Sequence, residues 1–181
     1  AWWSAHTGNL DVPMGQTRKV VFTNYSSKAN NWNNFVIVLR AQNNTEYAVL
    51  RADNFGWGSG YGSCVHGGTQ GDWAPWLASM DGAKVTVYIT NVNNGTADVQ
   101  IVMRGTDGKT YTQHYLGIDS INPNDLYFAF TIDTKPEQSP PALVFKYFLK
   151  NEPNSLSALP SSSSKSSPDV CLLKSLFVEA V

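Results

Sequence analysis

The stretch AKVTVYIT, residues 83–90, alternates apolar and polar positions: Val85, Val87 and Ile89 share one side, and Thr86, Tyr88 and Thr90 the other. Successive side chains of an extended strand point to opposite faces, so this pattern predicts a β-strand with one face in a core. LYFAFTID, residues 126–133, repeats it, with Leu126, Phe128, Phe130 and Ile132 on one side and Tyr127, Ala129 and Thr131 on the other. Working outward, short runs of Val, Ile, Phe, Tyr and Thr bounded by Gly, Asn, Asp or Pro predict further strands at Thr17–Thr23, Phe35–Ala41, Glu46–Ala52, Ala97–Arg104, Lys109–Tyr115 and Leu143–Leu149. Asn94-Gly95, Asp107-Gly108 and the QNNT tip at residues 42–45 are hairpin signals, because these residues accept the backbone conformations of tight turns. Turns this short join antiparallel neighbours. The expected fold is all-β, a two-sheet antiparallel β-sandwich of jelly-roll-like form.

A chain of 181 residues suits one packed domain and a tail, read here as a β-sandwich over residues 1–150 and a Ser/Pro-rich linker over 151–181. The formal net charge is −1, so no long-range field favours nucleic acid or an anionic membrane, and neutral partners are expected. The chain is read as a monomer. Cys64 and Cys171 lie far apart in segments of different composition and predict no disulfide framework. The chain begins at Ala1 and holds no apolar stretch long enough to span a bilayer. It is expected to be processed or cut from a larger, secreted polypeptide and to act outside the cell.

Catalysis finds little support. Most glycosidases need two carboxylates flanking the scissile bond. The glutamates are Glu46, Glu137, Glu152 and Glu179; two lie in or beside the tail, one lies in a Pro-rich loop, and no E-x-D-x-x-E strand is present. Asp53, Asp72 and Asp81 fit turn or capping roles. His6, His66 and His114 lack metal-ligand spacing, and neither a G-x-S-x-G elbow nor a phosphate-binding loop occurs. Sandwich lyases need a Tyr/His pair, and adjacent His114 and Tyr115 on a strand face opposite ways. No catalytic residue, no catalytic metal and no cofactor are expected.

The long Gly-rich segment from Asp53 to Gly82 reads as a functional loop. Trp32 in NNWNN and Trp57 in NFGWGSGY are surrounded by amides and glycines, unlike Trp76, whose neighbours Pro75 and Leu77 favour a core position. A pyranose offers a C–H face that stacks on an aromatic ring and hydroxyls that need planar amide, carboxylate or guanidinium partners. Both halves are present around these two tryptophans.

In order along the chain, DVPMGQTRKVVFTNYSS, NNWNNFVIVL, EYAVLRADNFGWGSGY, MDGAKVTVYITNVNN and DGKTYTQHYLGI resemble the non-catalytic carbohydrate-binding modules of bacterial plant-cell-wall glycanases, over about residues 2–149. The resemblance implies a β-sandwich that binds β-glucans such as cellulose, mixed-linkage glucan or xyloglucan, sometimes with a structural calcium, beside a tethered glycoside hydrolase. Calcium here would lack an Asp-x-Asp-x-Asp-Gly loop. The positions in the matching stretches, and hence the expected carbohydrate-binding residues, are Trp32, Asn33, Asn34, Arg51, Asp53, Asn54, Trp57 and Tyr61. A sandwich glycoside hydrolase or polysaccharide lyase, and an adhesion or protein-interaction module, are the rival readings.

Overall fold

The computed structural model describes residues 7–25 and 34–132, and the backbone of three further strands at Val144–Tyr147, Lys150–Pro153 and Lys174–Phe177. Trp2, Trp3, Trp32 and Asn33 lie outside the described residues, as does the expected linker over residues 151–181 apart from the strand backbone ending at Pro153 and that of Lys174–Phe177. In chain order the strands are β1 (Leu10–Asp11), β2 (Gln16–Thr23), β3 (Phe35–Arg40), β4 (Glu46–Arg51), β5 (Gly56–Trp57), β6 (Val65–Gly68), β7 (Lys84–Asn91), β8 (Ala97–Arg104), β9 (Thr110–Ile118), β10 (Tyr127–Ile132), β11 (Val144–Tyr147), β12 (Lys150–Pro153) and β13 (Lys174–Phe177). One turn of 3-10 helix, Tyr61–Ser63, precedes β6, and one α-helix, α1 (Trp73–Met80), precedes β7.

The strands form a five-stranded sheet of order β1-β10-β3-β4-β5, a six-stranded sheet of order β12-β2-β7-β8-β9-β6, and a separate β11-β13 pair. Every pairing is antiparallel. The two larger sheets share one core: Phe35, Ile37, Leu39, Leu50, Phe128 and Phe130 from the first meet Val20, Phe22, Val85, Val87, Ile101 and Tyr115 from the second. The chain is therefore an all-β two-sheet sandwich, as its alternating runs predict. The three short hairpins also form, at β3–β4, β7–β8 and β8–β9. In the last, Asp107 Oδ1 accepts the Lys109 N–H at 3.0 Å, the local side-chain bond that suits Asp to turns.

Two features depart from the sequence reading. The segment from Asp53 to Gly82 is not a long loop, because β5, the 3-10 turn, β6 and α1 fill it. Trp76, Ser79 and Met80, spaced i, i+3 and i+4, form the buried side of α1, and Ser79 Oγ donates to the Trp76 carbonyl at 2.7 Å. Pro75 falls in the first turn, where its missing N–H would have had no helical partner. The second departure is the outward side of the five-stranded sheet. Val36, Val38 and Val49 are fully buried there and form a small second core with Trp57 against it. The uninterrupted run FVIVLR matches such a strand, covered on both sides.

Candidate functional site

The site is built where β4 leaves the five-stranded sheet. Val36 pairs with Arg51, so Asn34 stands level with Asp53 at the same end of the sheet. Arg51 grips Asp53 through two parallel bonds, Nε to Oδ1 at 3.0 Å and the terminal amine to Oδ2 at 2.6 Å, with both side chains largely shielded. This fork geometry fixes the guanidinium and neutralises the carboxylate. Asn54 then adopts a left-handed conformation, φ 63°, which Asn tolerates better than most residues. The Arg51 N–H donates to the Phe55 carbonyl at 2.8 Å, closing the turn into β5.

Beyond that turn four rings follow one another along the sandwich edge. Phe55 lies 6.4 Å from Trp57 and 6.3 Å from Tyr61, and Tyr61 stacks on His66 at 5.3 Å. Phe55 is 55% exposed, a large apolar surface for a residue held in place by its neighbours. The Arg51 guanidinium sits 5.8 Å from its ring centroid, within cation–π range. Trp57 is half-buried, across from Val49 on the outward valine patch. Tyr61 is half-buried against the main core, and a side chain at Gly56 would come within 2.8 Å of its ring, so the close approach requires glycine.

Tyr61 and His66 share a hydrogen bond between the hydroxyl and Nε2 at 3.3 Å. Burial raises the Tyr61 phenol above its ordinary range, with a contribution from nearby Cys64, so the hydroxyl stays protonated at neutral pH. Beneath the pair lies Tyr115, on β9 of the other sheet, at 6.3 Å from Tyr61 and 6.2 Å from His66. Its hydroxyl donates to the Arg51 carbonyl at 2.7 Å, tying the two sheets together under the strip. Burial raises this phenol strongly, and Asp53 adds to the shift.

Of the expected carbohydrate-binding residues, the structure gathers Arg51, Asp53, Asn54, Trp57 and Tyr61 around Phe55. Asn34 is buried at the same end, its Oδ1 accepting from Asn24 Nδ2 at 3.0 Å. Asn34 Nδ2 and Asn54 Oδ1 are enclosed without a hydrogen-bond partner. Trp32 and Asn33 lie outside the described residues. Phe55 and His66 were missed by the sequence reading. Phe55 carried the same signal as Trp57, flanked by Asn and Gly, and His66 was weighed only as a metal ligand. Trp76 is fully buried, as its neighbours suggested, while its helix neighbour Trp73 is exposed.

Among the described residues no three His, Cys, Asp or Glu side chains gather as a metal-binding group. No described helix is long and apolar enough to cross a membrane. An open groove of about 580 Å³, lined by Thr69, Gln70, Asp72, Pro75, Lys109 and Tyr111, lies apart from the ring strip. Compared with known proteins, the chain matches no protein-family model, no curated protein and no solved structure.

Proposed function

We propose that this chain is a non-catalytic carbohydrate-binding module. Its ligand is a neutral plant cell-wall β-glucan such as cellulose, mixed-linkage glucan or xyloglucan, bound outside the cell beside a tethered glycoside hydrolase. One observation carries the reading: the strip Trp57–Phe55–Tyr61–His66, with ring centroids 5.3 to 6.4 Å apart and Phe55 and His66 exposed. The exposed Phe55 ring offers a sugar an apolar surface, with Trp57 and Tyr61 tilted beside it. Arg51, Asp53 and Asn54 supply planar polar groups beside them. The carboxylate closest in sequence to the strip, Asp53, is already held by Arg51, which argues against its use as a free acid or base.

A second reading draws on the Tyr61–His66 hydrogen bond, since a sandwich lyase needs a Tyr/His pair. The raised Tyr61 phenol opposes it, because a base must give up its proton near working pH. One assay separates the readings: affinity electrophoresis through gels containing each glucan or a polyuronate, paired with measurement of reducing-end release from the same polymers. Retardation without release is expected. Release of reducing ends would make the chain an enzyme, and absence of both would leave the adhesion or protein-interaction module.

A further inference from the structure

The outward side of the six-stranded sheet is open, in contrast to the buried valines of the other sheet. Its residues stand in cross-strand rows fixed by register. One row runs Lys19, Tyr88, Gln100, His114; the next runs Val21, Thr86, Val102, Thr112; the third runs Thr23, Lys84, Arg104, Thr110. Lys84, Gln100, Arg104 and Thr112 are exposed, and Lys19, Thr86, Tyr88 and His114 are half-exposed.

The charges on this face are segregated. Lys84 and Arg104 are directly paired across β7 and β8, an arrangement of like charges that works against the sheet. Lys19 reaches over the Tyr88 ring at 5.5 Å. None of these three cations has a carboxylate partner among the described residues. Among the residues whose side chains are described, Asp98 is the acid on the face, and its Oδ1 accepts the Gly117 N–H at 2.8 Å. At the adjoining hairpin, Asp107 is taken by the Tyr111 hydroxyl at 2.7 Å and the Lys109 N–H at 3.0 Å. Both carboxylates keep their charge, yet among the described side chains Lys19, Lys84, Arg104 and the hairpin's Lys109 outnumber them, an imbalance that the near-zero net charge of the whole chain conceals.

We infer that this face is a second glycan-binding surface, distinct from the ring strip, whose ligand is a polysaccharide bearing carboxylates, a polyuronate. The two ends of the surface divide the labour. At one end Lys19, lying over the half-exposed Tyr88 ring, offers a further cation, with Gln100 and the half-exposed His114 in the same row for hydroxyls. Four residues along β7, about 13 Å at the usual rise of a strand, Lys84 and Arg104 receive carboxylates. Thr86 and Thr112 lie between. A chain running along β7 and β8 would meet both ends, and its carboxylates would relieve the Lys84–Arg104 repulsion. The threonine hydroxyls of the middle row and the Gln100 amide beside Lys19 favour a glycan over a simple polyanion.

The test uses the whole chain in gels containing polygalacturonate, its methyl ester, polyphosphate or a neutral β-glucan. Polygalacturonate should retard the chain, and the methyl ester, with the same sugars and no charge, should not. Retardation should fade as salt is raised. Lys84→Gln and Arg104→Gln should each weaken it about tenfold or more, by the usual strength of charge-assisted bonds, without lowering the melting temperature. Phe55→Ala should leave it unchanged while reducing retardation by the neutral glucan, so failure of this inference and failure of the neutral-glucan reading are told apart. Absence of retardation by polygalacturonate, equal retardation by its ester, equal retardation by polyphosphate, or unchanged binding in the Lys84→Gln/Arg104→Gln double variant would each overturn the inference. Should the double variant fail to fold, the comparison of acid and ester on the parent chain decides alone.

Discussion

The ring of Phe55 is 55% exposed, with Arg51, Trp57 and Tyr61 beside it, whereas Trp57 lies on the valine patch of Val36, Val38 and Val49. The two substitutions should therefore separate binding from stability. Phe55→Ala is expected to weaken glucan binding by ~1–3 kcal/mol, by analogy with stacked bases, or about 5- to 150-fold. Its melting temperature should barely move. Trp57→Ala should weaken binding similarly and also destabilise the fold by ~1–2 kcal/mol, a part of what full burial of a large apolar side chain is worth. Titrations and thermal melts on the same two variants check both. If Phe55→Ala melts early while its residual folded fraction binds normally, Phe55 does not belong to the site. At this scale, sequence marked only part of the ring strip. Trp57 and Tyr61 were legible from their glycine-rich setting, but the central position of Phe55 depends on the left-handed turn at Asn54. The pairing of Tyr61 with His66 depends on β6 meeting β9, a contact between residues far apart along the chain.

Among the elements, the strands with a repeating pattern were legible, and β5, the 3-10 turn, β6 and α1 were not. The alternation in β7 names its buried face correctly, with Val85, Val87 and Ile89 all buried. Helix α1 did leave signals: Asp72 at its start, Trp76 and Met80 one turn apart, and Gly82 just past its end. Flanking glycines and two closely spaced tryptophans masked them. The two-residue β5 has no period to detect, and its course is set by backbone that only glycine allows. Gly58, at φ 112°, would place a Cβ 2.7 Å from the Tyr47 carbonyl oxygen. Gly58→Ala should therefore destabilise the chain by ~1–3 kcal/mol, the usual range for a strained backbone, and loosen the ring strip with it. Urea denaturation and glucan titration of that variant test the link. A variant as stable as the parent would mean that β5 can be rebuilt by other backbone angles.

For the whole molecule, the sandwich itself was readable because both sheets supply alternating faces to one core; the burial of the outward valines was not, since a two-sided strand differs from a one-sided one only by what covers it. The alkaline limit of stability follows from the interior. Burial raises the Tyr115 and Tyr61 phenols and the Cys64 thiol above their ordinary values of 10.0 and 9.0, so each favours its neutral form when folded. The stabilisation is complete below the unfolded-state values and is lost as pH rises past them, because the unfolded chain then releases protons that the folded chain retains. Urea stability should hold steady from neutrality to about pH 9, given those reference values, and fall beyond it, with Tyr115→Phe reducing the slope of the fall. An unchanged slope in Tyr115→Phe would move the origin of the decline away from the tie between the sheets. The margins of the two sheets have a further consequence. The strands at the four margins are β1 and β5, of two residues each, and β6 and β12, of four each. Among the described residues, the margins of the two larger sheets therefore give a neighbouring copy little edge strand to template on. Copies crowded side by side along one polymer fibre would thus slide past each other as separate beads and would not fuse into a continuous ribbon.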